Sequence, residues 1–377
     1  MTQQRTIHRA AVVADQVATH AERPAAAPVD EDAGRLYVST GSALLNLALS
    51  DRVDGGYLTG KVSNKVGDKS SGKTFEALTM LAEAANNPAF DNYRLVFDDA
   101  EAADEFDMVK LFGAKAAERI LPPSLDRKVP KYSHTIMDFQ TRVRRLLAAD
   151  EPLIYVLDSL DALTTEEELK HAAELQKHNE GGKEVKGTYG MEKAKQISVL
   201  LRLLVSEIKS TQSFVQIISQ TRDDIDPMSF TSKTRAGGKA LYFYCSYEEW
   251  LAVAQRLSTK VNDRPRPIGV VSRSKFTKNK ATGKVREVDV PVYYDYGVDD
   301  IGSCIDFLLN EKQWTKNDKG FITATPLCRA PVQRGKLITQ IEEEELTPKL
   351  HALTQQVWLE IEDKLKLKRK PKYGDAC

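Results

Sequence analysis

Eight residues, Gly67-Asp68-Lys69-Ser70-Ser71-Gly72-Lys73-Thr74, carry the clearest chemistry in the chain. They fit G-x-x-x-x-G-K-[ST], the loop that cradles nucleotide phosphates. Gly67 and Gly72 let the backbone wrap so that successive N–H groups, including those of Ser70 and Ser71, point at an anion. Lys73 would reach the outer phosphates and Thr74 would ligate Mg2+. A phosphate loop needs a carboxylate for that metal. Asp158 closes the apolar run Leu153-Ile154-Tyr155-Val156-Leu157, the strand-end position the role requires. Asp161 falls beyond the run and is expected to face solvent or cap a helix. Hydrolysis further needs a group that orients or deprotonates water. Asp98, Asp99 and Glu101 follow the run Arg94–Phe97. Spacing alone leaves them divided between catalysis and a solvated helix start, where acids are favoured.

These residues need elements to position them. Val62–Val66 reads as a strand entering the loop and Phe75–Ala82 as a helix leaving it, whose N-terminus favours an anion. Phe106, Val109 and Phe112 lie at helical spacing, as do the apolar residues of Met191–Ile208. Phe214–Ile218 is a further apolar run, ending at Ser219-Gln220. Apolar runs alternating with helices predict a parallel sheet covered on both faces. Ligands of such sheets bind at the carboxyl ends of the strands. The loop, Asp158 and Gln220 all fall there. Beyond Pro267, Ile268–Val271 and Val288–Tyr294 read as strands joined by a basic turn at Lys278–Lys284. Helices are expected at Ile301–Leu309 and Leu350–Leu365.

The fold class is therefore α/β: a core with a central, mostly parallel twisted sheet flanked by helices, plus a small C-terminal α/β module. The expected divisions are an N-terminal helix and linker (1–35), the core (36–298), the module (299–363) and a basic tail (364–377). The 54 Lys and Arg equal the 54 Asp and Glu, so no global field advertises a polyanion, and any nucleic-acid contact must come from local patches. Cys245, Cys304, Cys328 and Cys377 form no C-x-x-C pair, which argues against zinc or a disulfide framework. No apolar run approaches membrane-spanning length and no signal pattern opens the chain. The expectation is a soluble cytoplasmic protein without membrane contact.

The chain resembles the RecA recombinase family across many of these segments. Val38–Ser42 with Leu45, Leu47 and Leu49 resembles the segment preceding the family's phosphate loop. Gly67–Thr74 is similar to its G-x-x-S-S-G-K-T form. Phe97-Asp98-Asp99-Ala100-Glu101 resembles F-I-D-A-E, which places Glu101 at the family's catalytic carboxylate. Val156–Leu160 resembles its second nucleotide motif. Ile217–Arg222 resembles I-N-Q-I-R, in which the glutamine, here Gln220, senses the γ-phosphate and opens a DNA-binding loop. Thr234–Tyr244 resembles the end of that loop and its following helix. Lys278-Asn279-Lys280 is similar to a turn whose lysines reach the neighbouring subunit's ATP. Tyr294 and Gly297 fall at the adenine side. The resemblance covers roughly residues 36–312 and has the look of a bacteriophage or prophage form; the N-terminal segment, a possible oligomerisation arm, matches the family's polymerisation helix only in general character. Departures are Ser219 for the family's Asn, Met108 for an adenine-stacking Tyr, a longer region at about 164–188, and a basic tail in place of an acidic one.

The resemblance implies ATP and Mg2+ as cofactors and single- and double-stranded DNA as partners. It implies a homo-oligomer, a helical filament or a ring. DNA contacts would come from Arg222, Lys233 and Arg235 in the 222–236 loop and from Lys183 and Lys186. The alternative for each is an ordinary solvated loop. Lys278 and Lys280 could equally be a plain hairpin tip, and the tail a solvated helix end. The function implied is an ATP-dependent recombinase that coats single strands and exchanges homologous strands. Two others stay open: a ring helicase or repair motor, and a nucleotide-switched assembly protein.

Overall fold

The computed structural model describes residues 34–103, 105–149, 151–171, 189–223, 233–235 and 238–369. The expectations for the N-terminal helix, Lys183, Lys186 and the end of the basic tail fall outside them. Among the described residues the main sheet has ten strands: β1 (Lys61–Gly67), β2 (Arg94–Asp99), β3 (Ile120–Leu121), β4 (Leu153–Asp158), β5 (Phe214–Asp223), β6 (Lys233–Arg235), β7 (Tyr247–Val261), β8 (Arg264–Asn279), β9 (Arg286–Tyr293) and β10 (Gly297–Val298). Their order is β10-β9-β8-β7-β1-β5-β4-β2-β3, with β6 paired to β5. From β7 to β3 neighbouring strands are parallel; β8, β9, β10 and β6 join antiparallel. The mixed α/β core with a largely parallel sheet matches the sequence expectation.

The central strands are apolar throughout because helices cover both faces. Every residue of β4 is buried. One face packs under helices α3 (Ile136–Leu147) and α4 (Tyr189–Ser210), where Phe139, Val143, Leu200 and Leu204 meet Tyr155, Leu157 and Val215. A capping box sets the start of α3: Thr135 accepts from the Asp138 N–H at 3.0 Å, and Asp138 accepts in return from the Thr135 N–H at 2.9 Å. Helix α2 (Lys73–Asn86) follows the phosphate loop and contacts several core strands. Helix α1 (Ala43–Ser50) precedes β1 and α5 (Gly238–Tyr244) precedes β7.

Residues 300–365 form α6 (Asp300–Asn310), α7 (Arg334–Glu343) and α8 (Thr347–Leu365) around a small sheet of Thr315–Lys316, Phe321–Thr323 and Val332–Gln333. Their apolar cluster, centred on Trp314, Ile305 and Leu350, also takes in Ala43 of α1. Among the described residues no helix is long and apolar enough to cross a membrane.

Several local expectations change. The Arg94 strand runs two residues further and includes Asp98 and Asp99. Helix is confined to Met108–Phe112, leaving Phe106 outside it. β5 continues through Gln220 to Asp223, because β6 extends its ladder. β7, which no apolar run announced, is one arm of a long hairpin whose turn, Asn262-Asp263, has positive φ at both residues, as tight hairpin turns require.

Candidate active site

Sheet register decides which side chains meet. Gly67 pairs with Gln220 and Asp99 with Asp158, so the ends of β1, β5, β2 and β4 lie along one edge. They border a cleft of about 520 Å³ lined by Lys69, Ser70, Lys73, Thr74, Asp99, Glu101, Ala103, Phe106, Asp158 and Gln220. A larger cavity of about 900 Å³ lies between β8, β9 and the C-terminal helices. It has no phosphate loop, so chemistry rather than volume picks the cleft.

The loop's glycines answer to geometry. A Cβ on Gly67 would stand 2.6 Å from Ser71 Oγ and 2.7 Å from the Leu251 carbonyl. Gly72 has φ +96°, a conformation side chains resist. Ser71 Oγ donates to the Asp68 carbonyl at 2.8 Å, tightening the turn. Lys73 Nζ folds back on the loop and donates to the carbonyls of Gly67 (2.8 Å) and Asp68 (2.7 Å). Burial lowers its pKa, opposed by Asp158 and Glu101.

Thr74 Oγ1 donates to Asp158 Oδ2 at 2.5 Å. Burial pushes Asp158 up to about 6; the Thr74 hydroxyl opposes this and the charge of Glu101 adds to it. A hydroxyl beside a carboxylate held short of positive charge fits a divalent cation. Ser159 Oγ and Gln220 Nε2 (2.7 Å) both donate to Glu101 Oε1. An apolar cleft of about 360 Å³ continues from Ser70–Phe75 to Phe106, Val270, Val292, Tyr293 and Tyr294. Phe106 meets Phe75 edge-on at 5.8 Å. Met108 lines neither cleft. Phe106 is thus the aromatic residue that sequence reading passed over, because helical spacing had assigned it elsewhere.

The three-carboxylate ambiguity resolves by alternation along β2. Asp98 faces the interior. It accepts from the Ser133 N–H (2.8 Å), the Ser133 hydroxyl (2.6 Å) and the Tyr155 hydroxyl (2.5 Å), and burial raises its pKa. Asp99 and Glu101 line the cleft. Asp161 neither faces open solvent nor caps a regular helix. Its side chain accepts from the Gln220 N–H at 2.7 Å and pairs with Arg222 at 3.0 Å. Nothing in its spacing announced that tether.

The other expected residues are more scattered. Asp68 Oδ1 accepts from the Thr221 hydroxyl, Asp68 Oδ2 pairs with Lys233, and these contacts lower its pKa. Arg235 is mostly buried, paired with Glu248 at 2.9 Å and set over the Tyr242 ring. It braces the sheet in this arrangement. Lys278 Nζ donates to the Tyr242 and Phe243 carbonyls at the end of α5 and lies 4.5 Å from the Tyr242 ring centroid. Lys278 and Lys280 do not line the clefts of their own chain.

Asp300, Cys304 and His351 bring ligand atoms within 4.8 Å. However, His351 Nε2 already bonds Asp300 Oδ2 at 2.6 Å, Asp300 Oδ1 accepts from the Ala43 N–H at 2.6 Å, and burial holds the Cys304 thiol well above its ordinary pKa. This cluster ties α1, α6 and α8 together.

The RecA N-terminal domain family matches residues 31–299. "Protein RecA" of Oleidesulfovibrio alaskensis is 30% identical over 270 residues, covering 71% of this chain and 68% of its own. "Protein RecA" of Methylobacterium radiotolerans is 29% identical over 313 residues, covering 78% and 77%. The Phytoplasma mali protein of the same name is 28% identical over 273 residues, covering 72% of each.

Proposed function

The chain belongs to the RecA family, and on that premise we propose that it is a DNA-dependent ATP hydrolase acting as a recombinase. In this reading it coats single-stranded DNA as a helical filament and promotes pairing and strand exchange with a homologous duplex in the bacterial cytoplasm. The observation that carries it is the 2.7 Å bond from Gln220 to Glu101, inside the cleft that Lys73, Thr74 and Asp158 share.

The β- and γ-phosphates of ATP would lie on the Gly67–Thr74 backbone, and Lys73 would trade its loop carbonyls for phosphate oxygens. Thr74 and Asp158 would hold Mg2+, which neutralises charge on the phosphates. The base would rest in the apolar cleft against Phe106 and Tyr294. Ser159 and Gln220 both occupy Oε1 of Glu101, which leaves Oε2 to accept from the attacking water. A γ-phosphate oxygen would compete for the Gln220 amide. Releasing that amide changes the end of β5, and with it Arg222, Lys233 and the chain between, which would contact single-stranded DNA. A second copy would bring Lys278 and Lys280 to the phosphate, where added positive charge stabilises the transition state. Filament assembly would therefore complete each site. The C-terminal module from residue 299 and the basic tail would be appendages to this core.

The test is steady-state phosphate release with and without single-stranded DNA, beside Lys73→Ala and Glu101→Gln. DNA stimulation lost in both variants supports the reading. Lys73-dependent hydrolysis that ignores DNA would sink the coupling and favour a nucleotide-switched assembly protein. Stimulated hydrolysis by closed, translocating rings would favour a motor.

A further inference from the structure

Every Lys and Arg of the 222–236 segment sits on a carboxylate. Arg222 Nη2 donates to Asp161 Oδ1 at 3.0 Å, Lys233 Nζ pairs with Asp68 Oδ2, and Arg235 Nε pairs with Glu248 at 2.9 Å. The third pair is nearly closed to water, its side chains 14% and 3% exposed. The cations of the first two stand open: Arg222 is 58% exposed and Lys233 46%. Those are the two cations that the reading above gives to single-stranded DNA.

Each of their carboxylates also grips the strand beside its cation. Asp161 Oδ2 accepts from the Gln220 N–H at 2.7 Å, and Asp68 Oδ1 accepts from the Thr221 hydroxyl. The ladder does not need these contacts. β6 joins β5 through its backbone, with Lys233 opposite Asp223, Thr234 opposite Arg222 and Arg235 opposite Thr221. Asp68 belongs to the phosphate loop and Asp161 stands just past β4. Acids from two segments remote in sequence thus converge on the two exposed cations.

A carboxylate and a phosphate offer these cations the same thing, anionic oxygens that accept charge-assisted hydrogen bonds. DNA phosphates must therefore displace Asp161 from Arg222 and Asp68 from Lys233. The displaced acids then repel the strand that replaced them. Exposed pairs of this kind are weak enough to be displaced. They lower affinity rather than close the surface.

Both acids are also tied to the nucleotide cleft. The Asp68 carbonyl accepts from Lys73 Nζ at 2.7 Å. Gln220, whose N–H Asp161 holds, sends its side-chain amide to Glu101. A γ-phosphate that draws on Lys73 and on the Gln220 amide would pull at both acids and loosen their grip.

We propose that Asp68 and Asp161 are intramolecular competitors of DNA: in the nucleotide-free chain they neutralise Lys233 and Arg222, and a single strand binds by displacing them. This role rests on the DNA-dependent reading above and deepens it, by naming what holds the DNA-facing cations before DNA arrives.

The experiment titrates the full chain with a labelled single-stranded oligonucleotide of mixed sequence, without nucleotide and with a non-hydrolysable ATP analogue. The variants are Asp68→Asn and Asp161→Asn, singly and together. Asparagine keeps an acceptor oxygen for the Thr221 hydroxyl or the Gln220 N–H and removes the charge. Nucleotide-free affinity near 0.1 M salt is expected to rise about threefold in each single variant and about tenfold in the double. The gap between the nucleotide-free and analogue-bound forms should narrow. Loss of a merely structural contact would weaken binding, so a gain separates the two roles. A cycle with Lys233→Ala tests the route: the gain from Asp68→Asn should vanish in that background. Unchanged or weaker nucleotide-free binding in the asparagine variants, with a wild type that binds DNA, overturns the proposal and makes the two acids braces of the loop. A gain that persists without Lys233 also overturns it, because bulk charge rather than the pair would then be at work. Failure of wild type and double variant to bind a single strand in either nucleotide state would overturn the functional reading, and this role with it.

Discussion

Two charged clusters both draw on α2 and differ in nearly everything else. Midway along the sheet, Lys65 of β1 pairs with Glu76 of α2 at 2.6 Å and Glu249 of β7 at 2.8 Å, and Tyr57 donates to Glu249 at 2.5 Å. Burial opposes the charge on Lys65, and the two carboxylates more than offset it, so its pKa rises. Burial also raises Glu76. At the carboxyl edge, Thr74 bonds Asp158, Gln220 bonds Glu101 and Lys73 folds back on the Gly67 and Asp68 carbonyls, yet all five line an open cleft. The interior partners have nowhere else to go. The cleft partners stand where phosphate and cation chemistry would replace them. Position relative to the cleft decides whether a charge holds the fold or waits for a ligand.

The interior cluster should be the harder to disturb without unfolding. Lys65→Met leaves carboxylates unpaired in a dry core, and a stability loss of about 3–5 kcal/mol is expected by urea unfolding. Adding Glu76→Leu and Glu249→Leu should recover most of it. A single-variant loss within about 1 kcal/mol of wild type would mean the interior is as adaptable as the cleft and would break the comparison. Lys73→Ala should do the reverse. Phosphate release should fall by about 100-fold or more, with the unfolding midpoint little moved.

The pH response of Asp158 is expected to be smaller. Its folded carboxyl titrates at about 6, above about 3.9 for an unfolded Asp. The folded state therefore binds more protons between those values, and this group's contribution to stability falls as pH rises from about 4 to about 6. Wild type should lose about 2–3 kcal/mol relative to Asp158→Asn across that window, measured by denaturant unfolding without nucleotide. A flat difference would show that the cleft already solvates the carboxylate. The smallest effect belongs to Asp68→Ala. The Asp68–Lys233 pair is roughly half-exposed on both sides and is worth under about 1 kcal/mol. A larger loss would place Asp68 with the interior cluster.

Legibility divided along the same line. The phosphate loop, Asp158 and the strand leading to Gln220 were readable because their chemistry depends on neighbours in sequence. Lys65 was swallowed by the apolar reading of Val62–Val66, since its partners lie on α2 and β7. Asp98 and Asp99 could not be told apart until alternation on a strand turned one inward. β7 escaped because its distal half faces water and carries no apolar run. Asp161 and Phe106 had periodic or turn-like surroundings that suggested other uses.

The sequence by itself determined the loop that can hold phosphates, the strands that must be buried and the residues able to carry metal and water chemistry, because backbone wrapping, apolar periodicity and side-chain acidity are local properties. Tertiary structure decided which carboxylates face the cleft, which lysine is locked in the core, that Gln220 reaches Glu101, and that the hairpin of β7 and β8 runs on beyond its neighbouring strands. Those outcomes depend on register and crossover connections between residues far apart in the chain, and no local pattern encodes the distance between them.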